Sequence, residues 1–196
     1  MIITFGGTPG SGKGTVSKRL AKLLRYERLD IGELRRRKAR KLGMTLEEYN
    51  RFGEYNFSTD HWVDEFQERQ GKRKKNLIVD GRLSFHFIPK SLKIFLFVSS
   101  AVGAKRIWSD FRQPQRRNEA VKLTTVNRVK RSIIERMRSD RLRYRRLYGL
   151  NPFAKTHYDL YLDTTKLTPD QVLTQVKNFV VDKLRRNETR SSKQRK

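Results

Sequence analysis

Ten residues near the start of the chain narrow the folds open to it. Gly6-Gly7-Thr8-Pro9-Gly10-Ser11-Gly12-Lys13-Gly14-Thr15 follows the short apolar, β-branched run Ile2-Ile3-Thr4-Phe5 and opens an amphipathic stretch with Val16, Leu20, Leu23 and Leu24 on one face. The order is strand, glycine loop, helix. Gly7, four residues, then Gly12-Lys13 is the spacing of a phosphate-cradling loop. Its glycines let backbone N–H groups converge on phosphate oxygens at a helix N-terminus, and Lys13 adds a point charge there. The residue after the lysine is Gly14, so the hydroxyl expected to reach Mg²⁺ lies one position later, on Thr15.

With 196 residues and 36% hydrophobic content, the chain is long enough for one packed domain and too short for two full ones. No apolar run approaches the ~20 residues of a membrane helix, and the N-terminus lacks the charged-then-apolar order of a signal peptide. The absence of cysteine excludes disulfides and thiolate metal sites, and a cytoplasmic monomer is the expectation. Charge is the anomaly, with 46 Lys+Arg against 20 Asp+Glu for a formal net +26. Such an excess implies anionic partners, either phosphorylated small molecules or a nucleic acid backbone.

Further along, Tyr26 to Asp30 reads as a second strand, and Asp30-Ile31-Gly32-Glu33-Leu34 as a turn into a helix rich in arginine and lysine, Arg35 to Lys41. Most of that charge suits a solvated or nucleic-acid-facing surface, with one or two residues left for a substrate phosphate. Gly43 closes the helix, and Thr45-Leu46-Glu47-Glu48 opens the next with an acid at the capping-box position. Tyr49, Phe52, Tyr55, Phe57, Trp62 and Phe66 then cluster, either as a small helical core or as a nucleobase slot. The basic turn Gly71-Lys72-Arg73-Lys74-Lys75 ends this excursion, residues 31–75.

Leu77-Ile78-Val79-Asp80 is a continuous apolar run ending in a carboxylate, the pattern by which a buried parallel strand delivers an aspartate to the phosphate end of a sheet. Asp80 is therefore the metal candidate beside Thr15, and Arg82 follows close enough to clamp a phosphate. Lys93 to Val98 makes another apolar strand, with a helix from about Ser99 through Trp108. Arg112-Gln113-Pro114-Gln115-Arg116-Arg117 has the turn chemistry and arginines of a mobile lid, assigned to residues 111–118, or of a plain solvated loop.

From near Asn118 to Tyr148 one long helix is expected, with an apolar stripe through Val126, Val129, Ile133, Met137, Tyr144 and Leu147. Arg136, Asp140 and Arg143 fall at i, i+4 and i+7, either an intrahelical salt-bridge ladder or one edge of a site. Tyr158 to Asp163 supplies a fifth strand, and Thr168-Pro169-Asp170-Gln171 starts a last helix running to about Arg185. Residues 186–196 lack apolar periodicity and read as a disordered basic tail beyond a single domain, 1–185. Alternating strands and helices imply an α/β fold, three layers around a parallel sheet, with ligands at the carboxyl ends of the strands.

Taken together the motifs resemble the cytidylate kinases of the nucleoside monophosphate kinase group, especially their short archaeal-type members. The resemblance runs from Met1 to about Leu173. It rests on Gly7-Thr8-Pro9-Gly10-Ser11-Gly12-Lys13-Gly14-Thr15, Gly32-Glu33-Leu34 with Arg36, Asp80-Gly81-Arg82-Leu83, and the Arg136, Asp140, Arg143 file. It extends through Tyr144, Tyr148-Gly149 and Asp163-Thr164-Thr165-Lys166-Leu167. It implies a P-loop kinase with a five-stranded parallel sheet, a small helical NMP-binding excursion and a short lid, using ATP as phosphoryl donor with Mg²⁺. It further implies that Arg36, Arg82, Arg136 and Arg143 bind phosphates and that Asp140 binds the ribose. Lys13, Arg82, Arg136 and Arg143 would then carry catalysis. Leu83 stands where bacterial members have a second aspartate, and no residue matches their cytosine contacts.

A monophosphate's second ionisation lies near pH 6, so the attacking oxygen is already anionic and the chain's three histidines need serve no catalytic role. The expected function is ATP-dependent phosphorylation of a nucleoside monophosphate, CMP or dCMP first. The alternative is a P-loop ATPase or kinase-fold protein acting mainly as an RNA- or ribosome-associated module, its basic helices forming the footprint. Shikimate kinase shares the fold type, but no shikimate-specific clamp is present.

Overall fold

A computed structural model of the chain describes residues 1–56, 58–111 and 125–193. Its centre is β1 (Ile2–Gly7), flanked by β3 (Leu77–Asp80) on one side and β4 (Leu92–Phe97) on the other. β2 (Glu27–Asp30) and β5 (Leu160–Asp163) form the edges, giving the order β2-β3-β1-β4-β5 with every pairing parallel. The register places Phe5 opposite both Asp80 and Ile94, so the glycine loop and the Asp80 carboxylate leave neighbouring strands at the same edge.

Strand alternation sorts the core into layers. Ile3, Phe5, Ile78, Ile94 and Leu96 pack against Val16 and Leu20 of α1 (Lys13–Leu24) and Val172, Val176 and Val180 of α8 (Pro169–Lys193). Leu77 and Val79 point the other way, onto Ile31 of α2 (Ile31–Lys41) and Val63 of α4 (Ser58–Arg73). On that side Leu83 and Phe85, next to and within α5 (Ser84–Phe87), meet Tyr144 of α7 (Val126–Tyr148). Ala104 of α6 (Ser100–Phe111) packs on Val129 and Ile133 of α7. This is the three-layer α/β/α arrangement around five parallel strands.

The helix starts follow from side-chain capping. Asp30 Oδ1 accepts the Glu33 N–H at 2.9 Å to begin α2, and Thr45 and Glu48 form a reciprocal box ahead of α3 (Leu46–Phe52). Thr168 and Gln171 do the same for α8. That helix continues to Lys193, which corrects the expected boundary at residue 186. The tail was inferred from missing apolar periodicity, which reports burial. Residues 186–193 contain neither Gly nor Pro, so nothing local stops the backbone ladder. Residues 112–118 of the expected lid, the 118–124 start of the long helix and Phe57 lie outside the described residues. Among the described residues no helix is long and apolar enough to cross a membrane.

Backbone contact fixes the glycine loop against the sheet's neighbouring layer. Gly10 has φ +80°, and a Cβ there would lie 2.5 Å from the Gly103 carbonyl oxygen of α6. Gly10→Ala therefore meets both a left-handed backbone, worth about 1–2 kcal/mol, and a steric clash. Thermal unfolding should occur at a lower temperature than in the parent, with weakened ATP binding in a calorimetric titration. Unchanged values for both would show that the loop can move away from α6.

Candidate active site

The phosphate loop is held from below by a single threonine. Thr8, buried, donates its N–H to Leu96 O at 3.1 Å and its hydroxyl to Val98 O at 3.2 Å, and the hydroxyl accepts the Val98 N–H at 2.9 Å. The far side of the loop leans on Thr164, whose hydroxyl lies 3.3 Å from Ser11 O, and Arg106 braces Thr164 O and Leu167 O at 2.8 and 3.1 Å. Gly12, at φ +81°, caps α1 without a side-chain acceptor, so the first-turn N–H groups remain open to an anion. Ser11 Oγ is buried and has no hydrogen-bond partner among the described residues. An open helix start, an orphaned hydroxyl and Lys13 make a fitting cradle for nucleotide phosphates.

Asp80, at the end of β3, is 2% exposed and touches three side chains from two neighbouring elements, α1 and β2. It forms an ion pair with Lys13, accepts the Ser17 hydroxyl at 2.9 Å and receives Arg28 Nη2 at 3.0 Å. Arg28 also donates to Asp30 at 2.8 Å. Burial pulls the Lys13 ammonium down to about 7 and the Arg82 charge adds to the shift. Contact with Asp80, like an incoming phosphate, acts the opposite way. Thr15 is exposed in the first turn of α1, two residues after Lys13, whose ammonium contacts the Asp80 carboxylate. Among the described residues no three His, Cys, Asp or Glu side chains converge as a metal cage. One hydroxyl and one carboxylate fit Mg²⁺, which keeps several waters and takes its remaining oxygens from phosphates.

Across from this corner lies a group of arginines. Arg136, on the inner side of α7, has a buried Nε without a hydrogen-bond partner among the described residues. Its pKa is lowered to about 10, chiefly by the Arg82 charge, then by burial, with Arg36 contributing. Arg82 Nε pairs with Asp140 Oδ2 at 2.5 Å, and Arg36 Nε with Glu33 Oε2 at 2.9 Å. Cations crowded this closely depress one another, and an anion among them relieves the repulsion. Of the four arginines singled out in the sequence, Arg82 and Arg36 thus both lie near Arg136.

The fourth, Arg143, has a different place. It is 3% exposed, donates to Asn50 O at 3.1 Å, Asp140 Oδ1 at 3.2 Å and Tyr144 Oη at 2.9 Å, and pairs with Asp60 Oδ2 at 3.4 Å. Asp60 Oδ1 in turn accepts Arg35 Nη1 at 2.6 Å. Arg143 is therefore occupied in a buried network joining α2, α3 and α4 to α7, and it orients Asp140 toward Arg82. Of the intrahelical salt-bridge alternative for the helical file, the Arg143–Asp140 pair is present at 3.2 Å, but both residues are buried rather than on the surface. Sequence reading missed Arg35, Asp60, Ser17 and Arg28 as supports. Only Arg28 left a local signal, two residues before Asp30 on one strand face. The aromatic cluster divides, with Tyr49 buried and hydrogen-bonded by Trp62 Nε1 at 3.1 Å while Tyr55 is 82% exposed. His61 pairs with Glu65 on the surface and His157 stacks on Phe85, 4.8 Å between centroids.

The family model described as "AAA domain" matches residues 3–127. The cytidylate kinase of Methanobrevibacter smithii is 31% identical over 172 residues, 88% of this chain and 94% of that protein. The cytidylate kinase of Pyrococcus furiosus is 33% identical over 178 residues, 90% of this chain and 86% of that protein. A shikimate kinase from Bacteroides thetaiotaomicron superposes with a TM-score of 0.61 over 92% of this chain and 98% of its own, at 12% identity, which is a likeness of fold alone.

One carboxylate near the site titrates unusually. Asp64 is buried, accepts the Tyr148 hydroxyl and lies 3.3 Å from Gln67 Nε2, which links it to Ser84. Burial raises its pKa to about 7; the Tyr148 hydrogen bond opposes the rise and Asp60 adds to it. Between pH 4 and 7 the folded protein holds a proton that the unfolded chain has released, so stability falls as pH rises across that window. Asp64→Asn should remove this slope. Its stability relative to the parent, measured by urea unfolding, should improve by roughly 1.4 kcal/mol per pH unit between pH 5 and 7, and parallel curves would show that Asp64 stays ionised.

The fold, the glycine loop and relatives of this identity and coverage agree, and the chain belongs to the cytidylate kinase family.

Proposed function

We propose that this nucleoside monophosphate kinase transfers the γ-phosphoryl group of ATP to CMP or dCMP, giving CDP or dCDP and ADP. The observation that carries the reading is the Arg36, Arg82 and Arg136 group facing the Lys13 and Asp80 corner, a second anion site beside the first. The cytosine preference is supported by the names of the relatives, cytidylate kinases on both counts.

In this reading the acceptor's phosphate oxygen forms a bond to the γ-phosphorus while the bond from that phosphorus to the β–γ bridging oxygen breaks. No strong base is needed, because the acceptor phosphate is already dianionic near neutral pH. The glycine-loop N–H groups, Ser11 and Lys13 hold the donor phosphates. Thr15 and Asp80 would hold Mg²⁺, which supplies charge neutralisation between donor phosphates. Arg82 and Arg136 draw the acceptor phosphate into line, with Arg36 at its rim. Asp140, steadied by Arg143, receives the ribose hydroxyl once the incoming phosphate competes for Arg82. The competing role as mainly an RNA- or ribosome-associated module gains nothing here, since it leaves the acceptor arginines without a purpose.

Coupled ADP-release assays across ribo- and deoxyribonucleoside monophosphates test the substrate. CMP or dCMP should exceed AMP, GMP and shikimate in kcat/KM; equal or better turnover of AMP would overturn the cytosine preference.

The residue roles separate by kinetics. Lys13→Ala and Asp80→Asn should each lower kcat by about 10² or more. Arg136→Ala should lower kcat/KM for the acceptor by a similar factor and leave KM for ATP nearly unchanged, and Asp140→Ala should chiefly raise acceptor KM. Equal losses on both nucleotides would place Arg136 on the donor side.

A further inference from the structure

The reaction accounts for few of the chain's 46 basic residues. Helix α7 shows where part of the rest is directed. Its buried face carries Val129, Ile133, Asp140, Arg143 and Tyr144. Arg131, Arg138 and Arg145, at i, i+7 and i+14, lie on the opposite face and are all exposed. Steps of seven residues drift by only about 20° each, so the three guanidinium groups form one line about 21 Å long. Lys130 is exposed along its edge, and Glu135 is the only acid on that face. Among the described residues none of the three arginines has an ion-pair partner.

A small nucleotide at the site cannot be what this line serves. The helix itself, about 10 Å across, stands between the outer arginines and Arg136. The polymer must also suit the absence of a stacking surface. The helix's two tyrosines that could stack bases lie on or beside the buried face, and the exposed apolar residues among the arginines are Ile134 and Leu142, at 51% and 61%. Single strands are held chiefly by base stacking on aromatic side chains, whereas duplexes present phosphates to basic side chains with bases hidden.

We propose that the outer face of α7 binds the phosphate backbone of a nucleic-acid duplex, without sequence reading and apart from the kinase site. Three aligned arginines contact phosphates along or across one groove edge, and each contact releases counterions.

Fluorescence anisotropy with short labelled duplex RNA, duplex DNA of the same sequence and the matching single strand, across a series of KCl concentrations, tests this. Wild type should bind duplex more tightly than single strand, and preference between the two duplexes identifies the source of the backbone. The variant R131E/R138E/R145E should lose at least tenfold in duplex affinity, and its log–log salt slope should shrink by about 2 to 3, at 0.9 per phosphate contact. A charge-matched control, K18E/K22E/K177E, reverses exposed lysines of α1 and α8 and should retain most of the binding. Both variants should keep wild-type kcat and KM for ATP and the acceptor, which certifies the fold; if the glutamate variant does not fold, R131Q/R138Q/R145Q carries the same comparison. Equal losses in the control, tighter binding of the single strand, or no duplex binding by the wild type would each overturn the proposal.

Discussion

Asp80 is the point on which the phosphate edge of the sheet depends. A carboxylate 2% exposed is costly unless every lone pair is answered, and here the answers come from Lys13 and Ser17 of α1 and Arg28 of β2. The interaction therefore sets the position of the first helix and the edge strand relative to β3, and through β1 the attitude of the glycine loop. Removing one partner would leave a buried charge short of compensation, which is why the same residue suits a role in catalysis. Its oxygens are already oriented before any nucleotide arrives, so little reorganisation accompanies binding.

A second buried carboxylate repeats the logic with the opposite emphasis. Asp140 lies between Arg82 and Arg143, and the two arginines differ in freedom. Arg143 is held by Asn50, Tyr144 and Asp60, while Arg82 is half-buried beside Arg136. A phosphate reaching Arg82 competes with its pair to Asp140 and relieves the repulsion felt by Arg136. Like charges gathered on one side of the sheet edge in this way favour an anionic ligand.

Much of this was legible in the sequence, for reasons that can be stated. The glycine loop, the apolar run ending at Asp80 and the reciprocal caps at Thr45 and Thr168 are local patterns whose chemistry is complete within a few residues. The file of Arg136, Asp140 and Arg143 was visible as helix geometry, yet its meaning was not, since the choice between ladder and site depends on what the helix faces. Arg143 was expected on a phosphate and lies instead among Asn50, Asp60 and Tyr144. Nothing near it in the chain announces Asp60, which comes from α4 and also pairs with Arg35. The length of α8 escaped because apolar periodicity marks where a helix is packed and is silent on where one ends.

The network around Asp60 has a further consequence for how the acceptor side is built. Arg35 comes from α2, Asn50 from α3, Asp60 from α4 and Arg143 from α7, so the small helical excursion is tied to the long helix by charge rather than by a large apolar interface. Such a joint resists sliding, because buried charges have no equivalent partners one turn away. Arg36 sits one residue from Arg35 on α2 and Asp140 three residues from Arg143 on α7. The joint therefore fixes the spacing of Arg36 and Asp140 through their neighbours on α2 and α7, while the Asp80 corner is anchored separately in the sheet.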